Sequence, residues 1–119
     1  MNFTKMHGLG NDFIVIAGCE RLPDDASKLA VGWCDRNFGI GADGVVFLLP
    51  SERADLMMRI MNADGSEAEQ CGNAIRCAAK YAYDSGLAAK TVMTIETIGA
   101  GVQTVVLQVR DGKAESVRV

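Results

Sequence analysis

The chain has 119 residues, 49% of them hydrophobic and 23% charged, with a formal net charge of −3. That length supports one hydrophobic core and a single domain, 1–119, of ordinary soluble composition. The mild acidic excess and the lack of any Lys/Arg cluster argue against nucleic acid or an anionic membrane as partner, and no apolar run approaches the length of a membrane span.

Four cysteines without a spaced framework suggest a reducing compartment. The opening Met1–His7 holds no apolar signal core, so the cytoplasm is the expected location. No Cys-x-x-Cys pair occurs and His7 is the single histidine, which argues against a structural zinc site.

In chain order, Asn2 to Met6 alternates as a half-buried strand. Gly8-Leu9-Gly10-Asn11-Asp12 breaks it, and Phe13 to Ile16 restarts as a buried strand. The glycines would let backbone approach another loop or a ligand. By position alone Asn11 is a turn asparagine. Pro23-Asp24-Asp25 reads as a helix start with an Asp available to cap. Ala26, Leu29, Ala30, Trp33 and Cys34 then fall on one face, with Lys28, Asp35 and Arg36 outside it, and the helix should end near Asn37. Trp33 reads as core. Gly39-Ile40-Gly41 follows a helix and lacks a third glycine, so it is not a dinucleotide fingerprint.

Val45 to Leu49 is a short buried strand closed by Pro50. Asp55 to Met61 alternates loosely, as if both faces were covered, and delivers Asn62. An amide there can both donate and accept, which suits a polar ligand. Asn62 also reads simply as a turn residue before Asp64-Gly65, and both readings stand at this point. Thr91–Thr97 and Val102–Val109 are strands, and a last hairpin turns at Arg110-Asp111-Gly112-Lys113 toward Ala114–Val119.

The stretch from Asn62 to Gly86 organises the rest. Asp64-Gly65-Ser66 is a tight turn in which Gly supplies positive φ and Asp bonds its own backbone. Good helix formers run from Ala74 to Asp84, and Gly86 sits where a left-handed residue stops a helix. Cys71, Gly72 and Asn73 therefore lie at the helix N-terminus, whose unpartnered N–H groups and positive dipole end favour a thiolate and a bound carboxylate. Asn73, Arg76, Lys80 and Asp84 share one face. Small and apolar residues take most of the remaining circumference, which suggests a helix enclosed on several sides.

Cys71 and Cys77 stand about 240° apart around a helix and cannot pinch one metal. Cys19, Cys34 and Cys77 sit in apolar settings and read as small buried hydrophobes. Cys71, flanked by Glu69-Gln70 and Gly72-Asn73, is poor material for a core and reads as the reactive one.

Four blocks carry a family resemblance: Met6-His7-Gly8-Leu9-Gly10-Asn11-Asp12-Phe13, Gly39-Ile40-Gly41-Ala42-Asp43-Gly44, Asn62-Ala63-Asp64-Gly65-Ser66 and Gln70-Cys71-Gly72-Asn73. Together they resemble diaminopimelate epimerase. The resemblance implies an α+β fold with a mixed or antiparallel sheet curled around a central helix, one of two pseudo-symmetric domains. It implies an epimerase that interconverts LL- and meso-diaminopimelate without pyridoxal phosphate or other cofactor, in lysine and cell-wall precursor synthesis. Inversion needs a base on one face of the α-carbon and an acid on the other. Cys71 would be one. The resemblance places the second cysteine in a C-terminal domain that this chain lacks, so the chain alone is expected to be inactive. It also implies that Asn11, Asn62, Gly72 and Asn73 bind substrate. Gly44 departs from relatives that carry glutamine there, which puts any side-chain role at that position in doubt. Related racemases of other substrates, a non-catalytic ligand-binding half-domain, and a homodimer pairing two Cys71 thiols are the other readings.

Overall fold

The computed structural model describes residues 3–8, 10–69 and 71–119. Among these described residues, eight strands and two helices follow in the order β1 (Phe3–Gly8), β2 (Asn11–Ile16), α1 (Ala26–Cys34), β3 (Gly44–Leu49), β4 (Leu56–Asn62), β5 (Glu67–Ala68), α2 (Gly72–Asp84), β6 (Val92–Thr97), β7 (Gly101–Arg110) and β8 (Lys113–Arg118). One mixed sheet runs β1-β2-β3-β4-β6-β7-β8, with the short β5 added beside β4. The β2–β3 and β4–β6 pairings are parallel and the others antiparallel. The sheet curls around α2, which packs against β1, β2, β3, β4, β6, β7 and β8. This is the α+β architecture expected from the sequence.

The two parallel pairings each need a crossover helix. Parallel crossovers share one hand. Between the two, the antiparallel β3–β4 pair reverses strand direction while the sheet keeps growing the same way. A second crossover of the same hand must then pass on the opposite face. Hence α1 lies outside the curl and α2 inside it.

Side-chain alternation follows from that arrangement. Phe13, Val15, Val46, Leu48, Met58 and Ile60 point inward to α2, while Ile14, Ile16, Val45, Phe47, Leu49 and Met61 point outward to Ala26, Ala30 and Cys34 of α1. Both faces of β3 are therefore dry, and all six of its residues are buried. The later strands are covered on one side only: Met93, Ile95, Val105 and Leu107 face α2, and their neighbours face outward. Within α2, Ala74, Ala78, Ala79 and Ala82 are fully enclosed. Their small side chains let the strands close in.

Several local expectations shift. Asn2 lies outside the described residues, and β1 continues to Gly8, so Asn11 and Asp12 already belong to β2, paired with Gly8 and His7. Asp25 does take the N-cap position of α1, but its side chain makes no capping bond. The Ala26 N–H donates to the Pro23 carbonyl, which closes a turn just before the helix. The helix ends at Cys34 rather than near Asn37. Asp35 is extended there, and its carboxylate accepts the N–H groups of Asn37 and Phe38 in a competing turn. Trp33 is half-buried, at the edge of a cavity of about 190 Å³ with Phe3, Ile14, Ile16 and Ile40. Cys34 and Cys77 are buried as expected, while Cys19 is only half-buried.

The polar face of α2 does not meet solvent alone. Strand β8 covers it: Arg76 Nε donates to the Val117 carbonyl, Lys80 Nζ to the Ala114 carbonyl, and the Ala114 N–H donates to Asp84. The turn before β8 is Asp111-Gly112, both with positive φ, the two-residue hairpin that the dipeptide predicts.

Candidate active site

Cys71 is extended (φ −153°, ψ 115°) and caps α2 from outside, so the helix begins at Gly72. Its carbonyl accepts the Ile75 N–H at 3.0 Å, the first bond of the helix. Its side chain makes no capping bond. The N–H groups of the first turn thus lack intrahelical partners and face the mouth of the helix. Cys71 is half-buried, Gly72 exposed and Asn73 half-buried. Behind the mouth, Arg76 comes within 3.9 Å of where a Cβ on Gly72 would sit, and among the described residues it has no carboxylate partner. A guanidinium there adds to the positive end of the helix.

The other predicted residues arrive at the same end of the sheet. Asn11 opens β2, Gly44 opens β3 beside Phe13, and Asn62 closes β4 opposite Gly44. Asn73 Nδ2 donates to Asn11 Oδ1 at 2.7 Å, which ties the helix mouth to the sheet across 62 positions of sequence. Asn62 proves to be a turn residue as well as a strand end. Its N–H donates to the Ser66 carbonyl, its carbonyl accepts the Gly65 N–H, and Nδ2 donates to Ser66 Oγ. Asp64 accepts both the Ser66 N–H and its hydroxyl, and these bonds hold the Asp64 carboxyl below its usual range. At position 44 a Cβ would stand 3.0 Å from the Met61 carbonyl oxygen, so the glycine keeps β3 close to β4.

Three further residues belong to this cluster and were not singled out from sequence. Arg36 donates to both carboxylate oxygens of Asp12 (3.2 and 2.9 Å) and to Asp43 (3.2 Å). Lys5 adds a contact to Asp12 at 3.4 Å. The Arg36 bonds hold the Asp12 carboxyl well below the ordinary carboxylate range despite partial burial. Asp43 in turn accepts from the Asp12 N–H at 2.9 Å and from Asn11 Nδ2 at 3.3 Å. On the far side of the mouth, the Gly99 N–H donates to the Glu69 carbonyl. A Cβ on Gly99 would collide with Glu69, so only glycine allows the β6–β7 turn to sit there.

The other cysteines differ from Cys71 in surroundings. Burial pushes the thiols of Cys34 and Cys77 above the usual range. No cluster of metal-ligating side chains occurs among the described residues.

Solved structures with this arrangement include a hydroxyproline epimerase from Agrobacterium vitis (25% identity, TM-score 0.75) and a probable proline racemase from Agrobacterium radiobacter (24%, TM-score 0.77). Each superposes on 97% of this chain, which covers 39% of the neighbour. The fold is thus one found in racemases and epimerases. The diaminopimelate epimerase family profile matches residues 3–118. Among curated relatives, the diaminopimelate epimerases of Caldanaerobacter subterraneus and Acetivibrio thermocellus are 60% and 54% identical over the entire chain. The chain belongs to the diaminopimelate epimerase family, and it spans 42% of the length of these two relatives.

Proposed function

We propose that this domain supplies one half of the active site of an epimerase that interconverts LL- and meso-diaminopimelate by a two-base mechanism with no cofactor. The observation that carries the reading is Cys71, seated outside the first turn of α2 beside an Asn73 already docked on Asn11.

Inversion proceeds by removing the α-proton on one face and delivering a proton to the other. Cys71 is the base or acid on one face. As the proton leaves, charge develops on the α-carboxylate. The N–H groups of Gly72 and Asn73 at the positive end of α2 are placed to stabilise it without reorganisation. Asn11, Asn62 and Asn73 offer amide groups for the substrate's polar ends. The second cysteine, and the wall that excludes water from the cleft, come from a complementary C-terminal domain. Residues 1–119 alone hold one candidate base.

The test is incubation with LL-diaminopimelate in heavy water, with this domain alone and joined to its complementary domain. Proline and hydroxyproline serve as comparison substrates. The joined protein should incorporate deuterium at the α-carbon and invert it, Cys71→Ala should abolish both, and the lone domain should do neither. Turnover of proline but not diaminopimelate would replace the substrate assignment. Inversion by the lone domain, abolished by Cys71→Ala, would show that the half suffices, as in a homodimer pairing two Cys71 thiols.

A further inference from the structure

Two carboxylates near the site make no contact with Cys71, yet each ends a hydrogen-bond chain that starts on a candidate binding asparagine. In the first, Asp43 is paired with Arg36 and also accepts the Asp12 N–H. A carboxylate only accepts, so the group of Asn11 turned toward it must be Nδ2. That sends Asn11 Oδ1 the other way, where it accepts from Asn73 Nδ2 at 2.7 Å. Asn73 is left with its carbonyl oxygen turned from this chain. In the second, Asp64 accepts the Ser66 hydroxyl at 2.6 Å, so Ser66 Oγ can only accept from Asn62 Nδ2 at 3.1 Å. Among the described residues, neither Asn73 Oδ1 nor Asn62 Oδ1 has a hydrogen-bond partner.

An amide side chain can be reversed end for end with almost no change of shape. Reversing Asn11 would set its oxygen against the Asp43 carboxylate, and reversing Asn62 would leave Ser66 Oγ facing an acceptor while its proton is held by Asp64.

From these two chains we infer that Asp43 and Asp64 are positioning residues: they fix the amide polarity of Asn11, Asn73 and Asn62 so that the open side-chain acceptors are Asn73 Oδ1 and Asn62 Oδ1. Donors at the helix mouth come from backbone N–H groups, and acceptors come from these asparagines. The two kinds of group sort the ends of an amino acid, carboxylate to the helix and ammonium to the amide oxygens. Arg36 belongs to the same device, since its guanidinium donates to Asp43 at 3.2 Å and keeps that side chain in place. The sorting of substrate groups rests on the epimerase reading, whereas the amide polarity does not.

The side-chain amide resonances of the ¹⁵N-labelled 119-residue chain test the polarity directly. Asp43→Ala should move the Nδ2 protons of both Asn11 and Asn73, although residue 43 does not touch Asn73. Asp43→Asn, able to donate or accept, should split these signals into two sets. Asp64→Ala should move Asn62 alone, and serves if the position 43 variants do not fold. An unmoved Asn73 in Asp43→Ala, or an unmoved Asn62 in Asp64→Ala, overturns the inference. In the joined enzyme, Asp43→Asn should lower kcat/KM about tenfold, chiefly through KM, with no further loss when added to Asn73→Ala. Additive losses would overturn the coupling through Asn73. A wild-type enzyme inactive on diaminopimelate but with the amide shifts intact would refute the substrate reading and leave the polarity standing.

Discussion

Asp84 stands at the C-terminal end of α2, where the helix dipole disfavours a negative charge. What holds it there are two donors: its carboxylate accepts the Ala114 N–H of β8 at 2.8 Å and Lys80 Nζ of its own helix at 2.6 Å. Ala114 is buried, so Asp84→Ala leaves a buried N–H without its acceptor, worth about 1–3 kcal/mol. The half-exposed Lys80 pair contributes a few tenths of a kcal/mol more. Relief of the unfavourable dipole contact returns about 0.3–1 kcal/mol. The expected net loss is about 2 kcal/mol, or about 6–10 °C in Tm for a domain of this size. Urea unfolding followed by circular dichroism at pH 7 measures it. Asp84→Asn keeps the acceptor and should cost less than half as much. Burial opposes the Asp84 charge, but Lys80 and the Ala114 N–H outweigh it and depress the carboxyl in the folded state. Its contribution is therefore fully present above the unfolded value of about 3.9 and fades as pH falls through the lower folded value. The gap between wild type and Asp84→Ala should close in strong acid. A difference below about 0.5 kcal/mol at pH 7, or an Asn variant as unstable as the Ala variant, would refute the assignment of Asp84 as the acceptor that anchors β8.

Two other outcomes are expected. Limited iodoacetamide labelling of the folded chain at neutral pH should modify Cys71 first, because Cys34 and Cys77 are buried and Cys19 lies half-buried away from any helix mouth; peptide mapping that finds Cys19, Cys34 or Cys77 ahead of Cys71 would contradict its placement. Gly99→Ala should destabilise by about 1–3 kcal/mol through its collision with Glu69, whereas relief of unfolded-chain entropy alone would stabilise by about 0.4–1 kcal/mol, so the sign of the shift in thermal melting decides between them.

The parts of the site that were legible in the sequence are those coded by short-range chemistry. The cysteine at a helix mouth, the Asp64-Gly65-Ser66 turn, the Gly86 stop with its positive φ and the Asp111-Gly112 hairpin all follow from residues a few positions apart. The continuous apolar runs of β2 and β3 announced burial but not what covered each face. Long-range pairings left no local trace. Nothing near Asn11 signals that it meets Asn73, and Asp12, Arg36 and Asp43 look like ordinary surface charges until the sheet brings them together. One local signal was only partly right: Asp25 takes the N-cap position, but its side chain makes no capping bond. The sequence set Asn73, Arg76, Lys80 and Asp84 on one face of α2, but nothing local named β8 as the strand that docks there.

The placement of α2 inside the curl also bears on how the domain assembles. The β1–β2, β3–β4, β6–β7 and β7–β8 pairs are joined by short connections and can form from neighbouring residues. The two parallel pairings close much longer loops, one through α1 and the other through α2, and incur that loss of chain entropy before any contact offsets it. The β4–β6 pairing cannot close around an absent axle. Its crossover helix and the strands on either side of it order together, and an alanine-rich segment eases that step because it reaches helical form with little side-chain freedom to lose. The same small residues that allow tight packing in the finished domain thus lower the entropy lost in closing this crossover.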